Sequence, residues 1–318
     1  MDNHPGGLTR DHVVWAYRIL LDRDPENEDV IGPKLAGSAD TRELRHHLMT
    51  SAEFQDRNRD YAHTNDRTIV IKELDGPGSA RLFVDLSDHV IGLSIVRGHY
   101  EAAEIAFVKR LLREGDGAID VGAHIGVFSM HMAAQVGASG RVYAFEPFPA
   151  NADLLERSIA ENGFADRVVF QRAAVSSASG TAVLTFPQET LNSGGAYLLR
   201  QGTTPVGGNL VAPVPVVALD DLGIRRQIRF IKMDVEGAEP LVMRGARRLL
   251  REQKPTILSE LHPTQLDRAS GTTVTGFLDE MRQIGYRAHY LDGGEIGAPL
   301  EHAPAEALIS IVLVPDTA

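Results

Sequence analysis

The chain has 318 residues, 43% of them hydrophobic and 24% charged, with a formal net charge of -11. That balance belongs to a globular chain with room for one α/β domain and a small accessory unit, and its negative charge disfavours nucleic acid or an anionic membrane as a partner. With no cysteine in the sequence, disulfides, thiolate metal sites and cysteine nucleophiles are excluded.

Three helices are predicted first. Val13, Val14, Tyr17, Leu20 and Leu21 recur at helical spacing behind a capping Asp11. A second short helix covers residues 24–35 and stops at Gly37, and a third carries Leu44, Leu48 and Phe54 on one face. Residues 1–62 are therefore expected to form a small helical accessory domain. Strands at 68–74 and 80–85 flank the turn Asp75-Gly76-Pro77-Gly78, a hairpin inside a joining extension, 63–98.

A helix at 100–113, with Ile105, Val108, Leu111 and Leu112 as its buried stripe, opens the main domain, 99–318. Strands at 117–121, 141–145, 168–171, 228–233 and 256–261 then alternate with helices at 127–135, 151–160, 240–250 and 274–284. Residues 287–291 and 308–314 add antiparallel strands at one side. The rhythm predicts an α/β fold: a Rossmann-like, mostly parallel seven-stranded sheet with helices on both faces. Between 187 and 215 the glycines of Asn192-Ser193-Gly194-Gly195 and Gly207-Gly208-Asn209 break all periodicity, and this stretch is read as a lid. The opening residues 1–7 lack the blocks of a signal peptide, and the apolar run 307–314 is too short to span a bilayer, so a cytoplasmic protein without a transmembrane segment is expected.

Four strand ends carry chemistry. In Asp120-Val121-Gly122-Ala123-His124-Ile125-Gly126 a strand runs through a glycine turn into a helix. The helix N-terminus offers N–H groups to a carboxylate, and Asp120 offers a charge to an ammonium. The dinucleotide pattern G-x-G-x-x-G fails because His124 stands at its second glycine, which disfavours NAD. In Phe145-Glu146-Pro147-Phe148, Glu146 closes the next strand, where a carboxylate accepts both hydrogen bonds of a ribose diol. The run Lys232-Met233-Asp234-Val235-Glu236-Gly237-Ala238-Glu239 delivers acids to the carboxyl edge of the sheet. They can bind an amino end, deprotonate a hydroxyl or hold a divalent ion. Finally, Ser259-Glu260-Leu261-His262 brings a carboxylate and an imidazole to another strand end.

In that order, these motifs, with Gly98-His99-Tyr100-Glu101 and Leu219-Asp220-Asp221-Leu222, resemble the FkbM-type methyltransferase family over residues 97–262. The resemblance implies a class I methyltransferase that moves a methyl group from S-adenosylmethionine to oxygen, on a hydroxyl of a sugar, glycan or natural product, or on a carboxylate. It implies cofactor contacts at Asp120, Gly122, Ala123, His124, Ile125, Gly126, Glu146, Pro147, Phe148 and Asp234, with adenine beside Arg172 and Ala173. It places Asp234, Glu236, Glu260 and His262 around the acceptor as catalytic groups, with no resident metal. His124 departs from the family, which usually has Asn there. The segment 17–25, with Ser51-Ala52-Glu53-Phe54, resembles a small helical domain attached to enzymes of surface-glycan assembly, which tilts the acceptor toward a sugar hydroxyl. A homodimer is compatible with this reading, and so is an inactive methyltransferase-fold module in glycan assembly.

Overall fold

A computed structural model describes residues 8–21, 23–49, 51, 53–54, 68–76, 79–88, 91–187, 193–205, 209–301 and 308–316. The chain start 1–7, the hairpin tip Pro77-Gly78, and Ala52, Asn192, Gly207 and Gly208 lie outside the described residues. The chain divides into two compact units, Met1–Arg67 and Thr68–Ala318.

The first unit holds helices α1 (Arg10–Leu21), α2 (Glu28–Ala36) and α3 (Thr41–Met49). Val13, Tyr17, Leu21, Ile31, Leu44 and Leu48 form its core, with Phe54 packed against it. The side chain of Asn27 accepts the Asp29 N–H and starts α2. Two stretches far apart in the sequence meet where Arg23 donates to both carboxylate oxygens of Glu53, at 2.5 and 2.6 Å.

The second unit opens with the hairpin of β1 (Ile69–Glu73) and β2 (Arg81–Asp85). Expected as a joining extension, these strands belong to the core of this unit: Leu82 and Val84 are buried in the same cluster as Val127, Phe128 and Leu155. Helices α4 (Ile91–Val96) and α5 (Ala102–Leu111) follow. Strands β3 (Gly117–Val121), β4 (Arg141–Phe145) and β5 (Val168–Gln171) then alternate with α6 (Val127–Val136) and α7 (Pro149–Glu161). After β10 (Ile228–Met233), the helix expected at 240–250 is two pieces, α8 (Glu239–Arg244) and α9 (Arg247–Gln253). They part at Gly245, where a Cβ would meet the Ser176 carbonyl oxygen at 2.0 Å, so a neighbouring chain segment occupies the side of that turn. Next come β11 (Thr256–Leu261), α10 (Pro263–Ser270), α11 (Val274–Gln283), β12 (Tyr286–Asp292), β13 (Glu295–Pro299) and β14 (Ile309–Pro315).

The main sheet has eight strands rather than seven, in the order β13-β12-β14-β11-β10-β3-β4-β5. The run from β11 to β5 is parallel, and β14, β12 and β13 are antiparallel. This is a Rossmann-like α/β sheet; the eighth strand, β13, returns from β12 across the turn Gly293-Gly294, both at positive φ. Strand alternation divides the side chains between two cores. Ala118, Phe230 and Leu258 face one cluster, and Ile119, Ile231 and Ile257 face the other.

Residues 197–198 and 209–215 of the stretch read as a lid are strands of a second sheet. β6 (Ala174–Val175), β7 (Gly180–Pro187), β8 (Tyr197–Leu198) and β9 (Asn209–Val217) pair in the order β6-β9-β7-β8. In β9, Val214 and Val216 point inward while Pro213 and Pro215 point out. The prolines and glycines hide this alternation from composition, yet its period of two is present. Residues 188–192 and 206–208 of the stretch lie outside the described residues.

Gly122 connects the sheet to the site. It sits at φ 79°, and a Cβ there would lie 1.8 Å from the Asp234 carbonyl oxygen. Two strand ends thus touch through a missing side chain. Gly122→Ala is expected to destabilise the fold by roughly 2–4 kcal/mol, the sum of left-handed strain and overpacking, as read by chemical denaturation.

Candidate active site

A cavity of about 270 Å³ opens at the carboxyl ends of β3, β4, β10 and β11, where open α/β sheets bind ligands. Its floor is the turn Gly122-Ala123-His124, and Phe145, Glu146 and Pro147 form one wall. Val175 adds to that wall, and Leu184, Ala196, Tyr197 and Leu198 of the second sheet cover it. Arg268 of α10 stacks its guanidinium over the Tyr197 ring at 3.8 Å, which fixes that cover. At the far end stand Tyr100, Glu101, Lys232, Asp234, Glu236 and Glu260.

Glu146 is 6% exposed. One carboxylate oxygen accepts the His124 N–H at 2.8 Å and the other accepts the Phe148 N–H at 2.7 Å. Each oxygen keeps a lone pair for a ligand. Burial raises its pKa to about 7, against the pull of those two N–H donors. Asp120 lies beneath the floor, 1% exposed, where it accepts the Ser129 hydroxyl at 2.6 Å. Burial holds it at about 6. It is absent from the cavity lining, so its influence there is electrostatic.

The far end is built around a lysine. Lys232, in the middle of the sheet, is 2% exposed. Its Nζ lies 3.3 Å from Glu101 and 3.5 Å from Asp234, and 4.8 Å from the centre of the Phe128 ring. Burial alone disfavours the ammonium, but Glu101, Asp234, Glu260 and Asp120 together outweigh it and hold Lys232 well above the ordinary lysine value. Glu101, Asp234 and Glu260 each offer an oxygen within 4.8 Å of one another, the cation-binding geometry found among the described residues. Lys232 already places a positive charge beside two of them.

The surrounding acids are protonated more readily than usual. Burial, then repulsion from Asp234, raises Glu236 and Glu260 to about 8, and burial raises Glu101 as well. Glu236 stands at φ 54° and accepts a hydrogen bond from Gln265. Glu239 is turned away from the cavity lining. It accepts the Val235 and Gly237 N–H groups, both at 3.3 Å, and fixes the turn that carries Asp234 and Glu236.

Of the residues singled out in the sequence, Gly122, Ala123, His124, Glu146, Pro147, Asp234, Glu236 and Glu260 line the cavity. Ile125 and Gly126 are buried behind it; Gly126 starts α6. Phe148 packs on Phe186, with ring centres 4.9 Å apart. Arg172 is on the surface, paired with Asp153 and Glu156 at 2.7 and 2.6 Å, and the residues of that segment that reach the cavity are Ala174 and Val175. His262 begins α10 outside the lining. Sequence reading missed Tyr100, Glu101 and Tyr197 as site residues and took Lys232 for a sheet residue. A lysine in an apolar strand between Ile231 and Met233 was the signal, because an unpaired ammonium there has no stable place.

Residues 120–288 match the methyltransferase FkbM domain family. The chain belongs to that family. A relative, the methyltransferase sdnD of Sordaria araneosa, is 29% identical over 154 residues, 40% of this chain and 59% of that protein. The chain thus spans 59% of the length of that curated relative. Among solved structures, the methyltransferase FkbM from Methylobacillus flagellatus KT is 18% identical, covering 95% of this chain and 58% of the other, with a TM-score of 0.40. A SAM-dependent O-methyltransferase from Thermotoga maritima is 14% identical over 69% and 66% of the two chains, with a TM-score of 0.38. No described helix is long and apolar enough to cross a membrane.

Two outcomes are expected from the buried charges. Glu146 and Glu239 at about 7, and Glu236 and Glu260 at about 8, keep protons in the folded protein that the unfolded chain has released. Stability should therefore fall as pH rises from about 6.5 to about 8. His124 and His131, depressed to about 4 by burial, act in the opposite sense, but only below their unfolded value of 6.5. Calorimetric melting across this range reads the slope; a flat or rising melting temperature contradicts it. Lys232→Met leaves Glu101 and Asp234 without their cation. It should cost on the order of 3–5 kcal/mol at pH 8 and less at pH 5, where Glu101, raised by burial, takes up a proton more readily.

Proposed function

We propose that the chain is an S-adenosylmethionine-dependent O-methyltransferase acting on a hydroxyl of a sugar, glycan or natural product. The observation that carries this reading is the division of one cavity into two chemically different ends. Glu146 stands against a largely apolar wall at one end, and an acid–lysine cluster stands at the other.

The first end fits the cofactor. The free lone pairs of Glu146 suit the two hydroxyls of a ribose, and Phe145, Val175 and Leu198 supply apolar surface for a base. The turn Gly122-Ala123-His124 precedes the N-terminus of α6, which favours a carboxylate. Bound there, S-adenosylmethionine supplies a methyl group already activated on a sulfonium. The protein's task is then to align the acceptor and take its proton.

The second end suits that task. Asp234, Glu236 and Glu260 line it, and two of them titrate near neutrality, where an acid–base group is most effective. Four carboxyl groups around one ammonium offer hydrogen bonds to a neutral polar acceptor, and they grow more anionic as pH rises through 8, which disfavours an anionic one. This supports a hydroxyl over a carboxylate as acceptor. A sugar is favoured further by the sequence resemblance of residues 17–54 to a domain of glycan-assembly enzymes. His262, outside the lining, has no part in this reading.

Isothermal calorimetry with S-adenosylhomocysteine tests the cofactor end. Glu146→Ala should weaken binding by about 1–3 kcal/mol through loss of the diol contacts. Wild-type protein that gives no heat and no thermal shift refutes the proposal and favours an inactive module. A mass-spectrometric screen of polyols and glycans with S-adenosylmethionine then tests the acceptor, with a gain of one methyl as the expected product.

A further inference from the structure

We propose that Glu101 is a positioning residue of the acceptor end: by sharing the Lys232 ammonium, it leaves the Asp234 carboxylate available to take the acceptor's proton. This rests on the cofactor reading above. Lys232 lies between two carboxylates at nearly equal distance, 3.3 Å from Glu101 and 3.5 Å from Asp234. A buried ammonium with a single carboxylate neutralises it, and that carboxylate becomes a weak base. With two, the charge is shared, and neither carboxylate is paired with the ammonium alone.

Three observations support the arrangement. Glu101 stands at φ 41°, a left-handed conformation uncommon for a residue with a side chain, immediately before α5. Such backbone persists where the surroundings fix it, and here it accompanies a carboxylate placed against the buried lysine. Asp120 and Glu260 also act on Lys232, but among the described residues only Glu101 and Asp234 stand within ion-pair distance of it. Its cross-strand neighbours are Asp120, whose carboxylate accepts from Ser129, and the apolar Leu258. Tyr100, Phe128, His124, Glu104, Glu236 and Glu260 also face the cluster, and the nearby positive charge, Arg268, acts on Glu236.

The test uses two ligands and the intact chain. S-adenosylhomocysteine reports the cofactor end alone. Sinefungin, an analogue with a primary amine where the cofactor bears its methylated sulfonium, adds an ammonium that senses the acceptor-side carboxylates. Wild-type protein should bind sinefungin more tightly than S-adenosylhomocysteine. In Glu101→Gln, Lys232 is left to Asp234, and the preference for sinefungin should drop about tenfold while S-adenosylhomocysteine binds within about threefold of wild type. Glu101→Asp, which keeps the charge, should restore most of the preference. It also serves as the reference should Glu101→Gln fail to fold, since Asp234→Asn compared with it must then lose the preference. A purely structural role would weaken both ligands together. An unchanged preference in Glu101→Gln, with normal S-adenosylhomocysteine binding, overturns this inference alone. Wild-type protein that binds neither ligand overturns the cofactor reading and this inference with it.

Discussion

The ammonium of Lys232, buried in the middle of a sheet, sets the terms for the rest of the site. A charge at that depth survives only beside opposite charge. Glu101 and Asp234 supply it from two directions, one from the start of α5 and one from the end of β10. The helix that follows Glu101, the turn that carries Asp234 and the neighbouring Glu260 are therefore tied to one point. Burial first, and repulsion between neighbouring acids second, raises the proton affinities of Glu101 and Glu260 there. What stabilises the lysine also gathers the acids at one end of the cavity.

The fold separates this cluster from the Glu146 end of the cavity by the width of two strands. β4 ends at Glu146, and β10 and β11 end at Asp234 and Glu260, with β3 and its glycine turn between β4 and β10. The absence of a side chain at Gly122 lets the turn after β3 press against the end of β10, so floor and cluster are one rigid piece. The second sheet completes the enclosure. Its buried face, with Leu184, Leu198, Val214 and Val216, packs with Phe148 and Ala174, while Tyr197 and Leu198 reach the cavity. A cover built from paired strands has its backbone groups satisfied by its neighbours, which a free loop lacks.

Much of this was legible in the sequence, and for definite reasons. The parallel strands read correctly because each is a short, largely apolar run of strand-favouring residues. Glu146 and the Asp234 run were legible because acids at strand ends have little structural excuse. The second sheet was not, since Pro213, Pro215 and the surrounding glycines look like a loop until β7 is placed beside β9. Helix α10 was hidden because its start, His262-Pro263, reads as a turn; the proline occupies the first helical position, where a missing N–H costs nothing.

By itself the sequence determined the order of the parallel strands, the glycine turn after β3 and the identity of the acids at the strand ends, because these follow from local periodicity and residue chemistry. The tertiary structure alone decided which of them share a cavity. Alternation along β3, β10 and β11 places Asp120, Lys232 and Glu260 on one face of the sheet, but only the packing of α5 brings Glu101 to that face from 131 positions away. Contacts across such a separation depend on how the layers close over one another, and no local pattern encodes that distance.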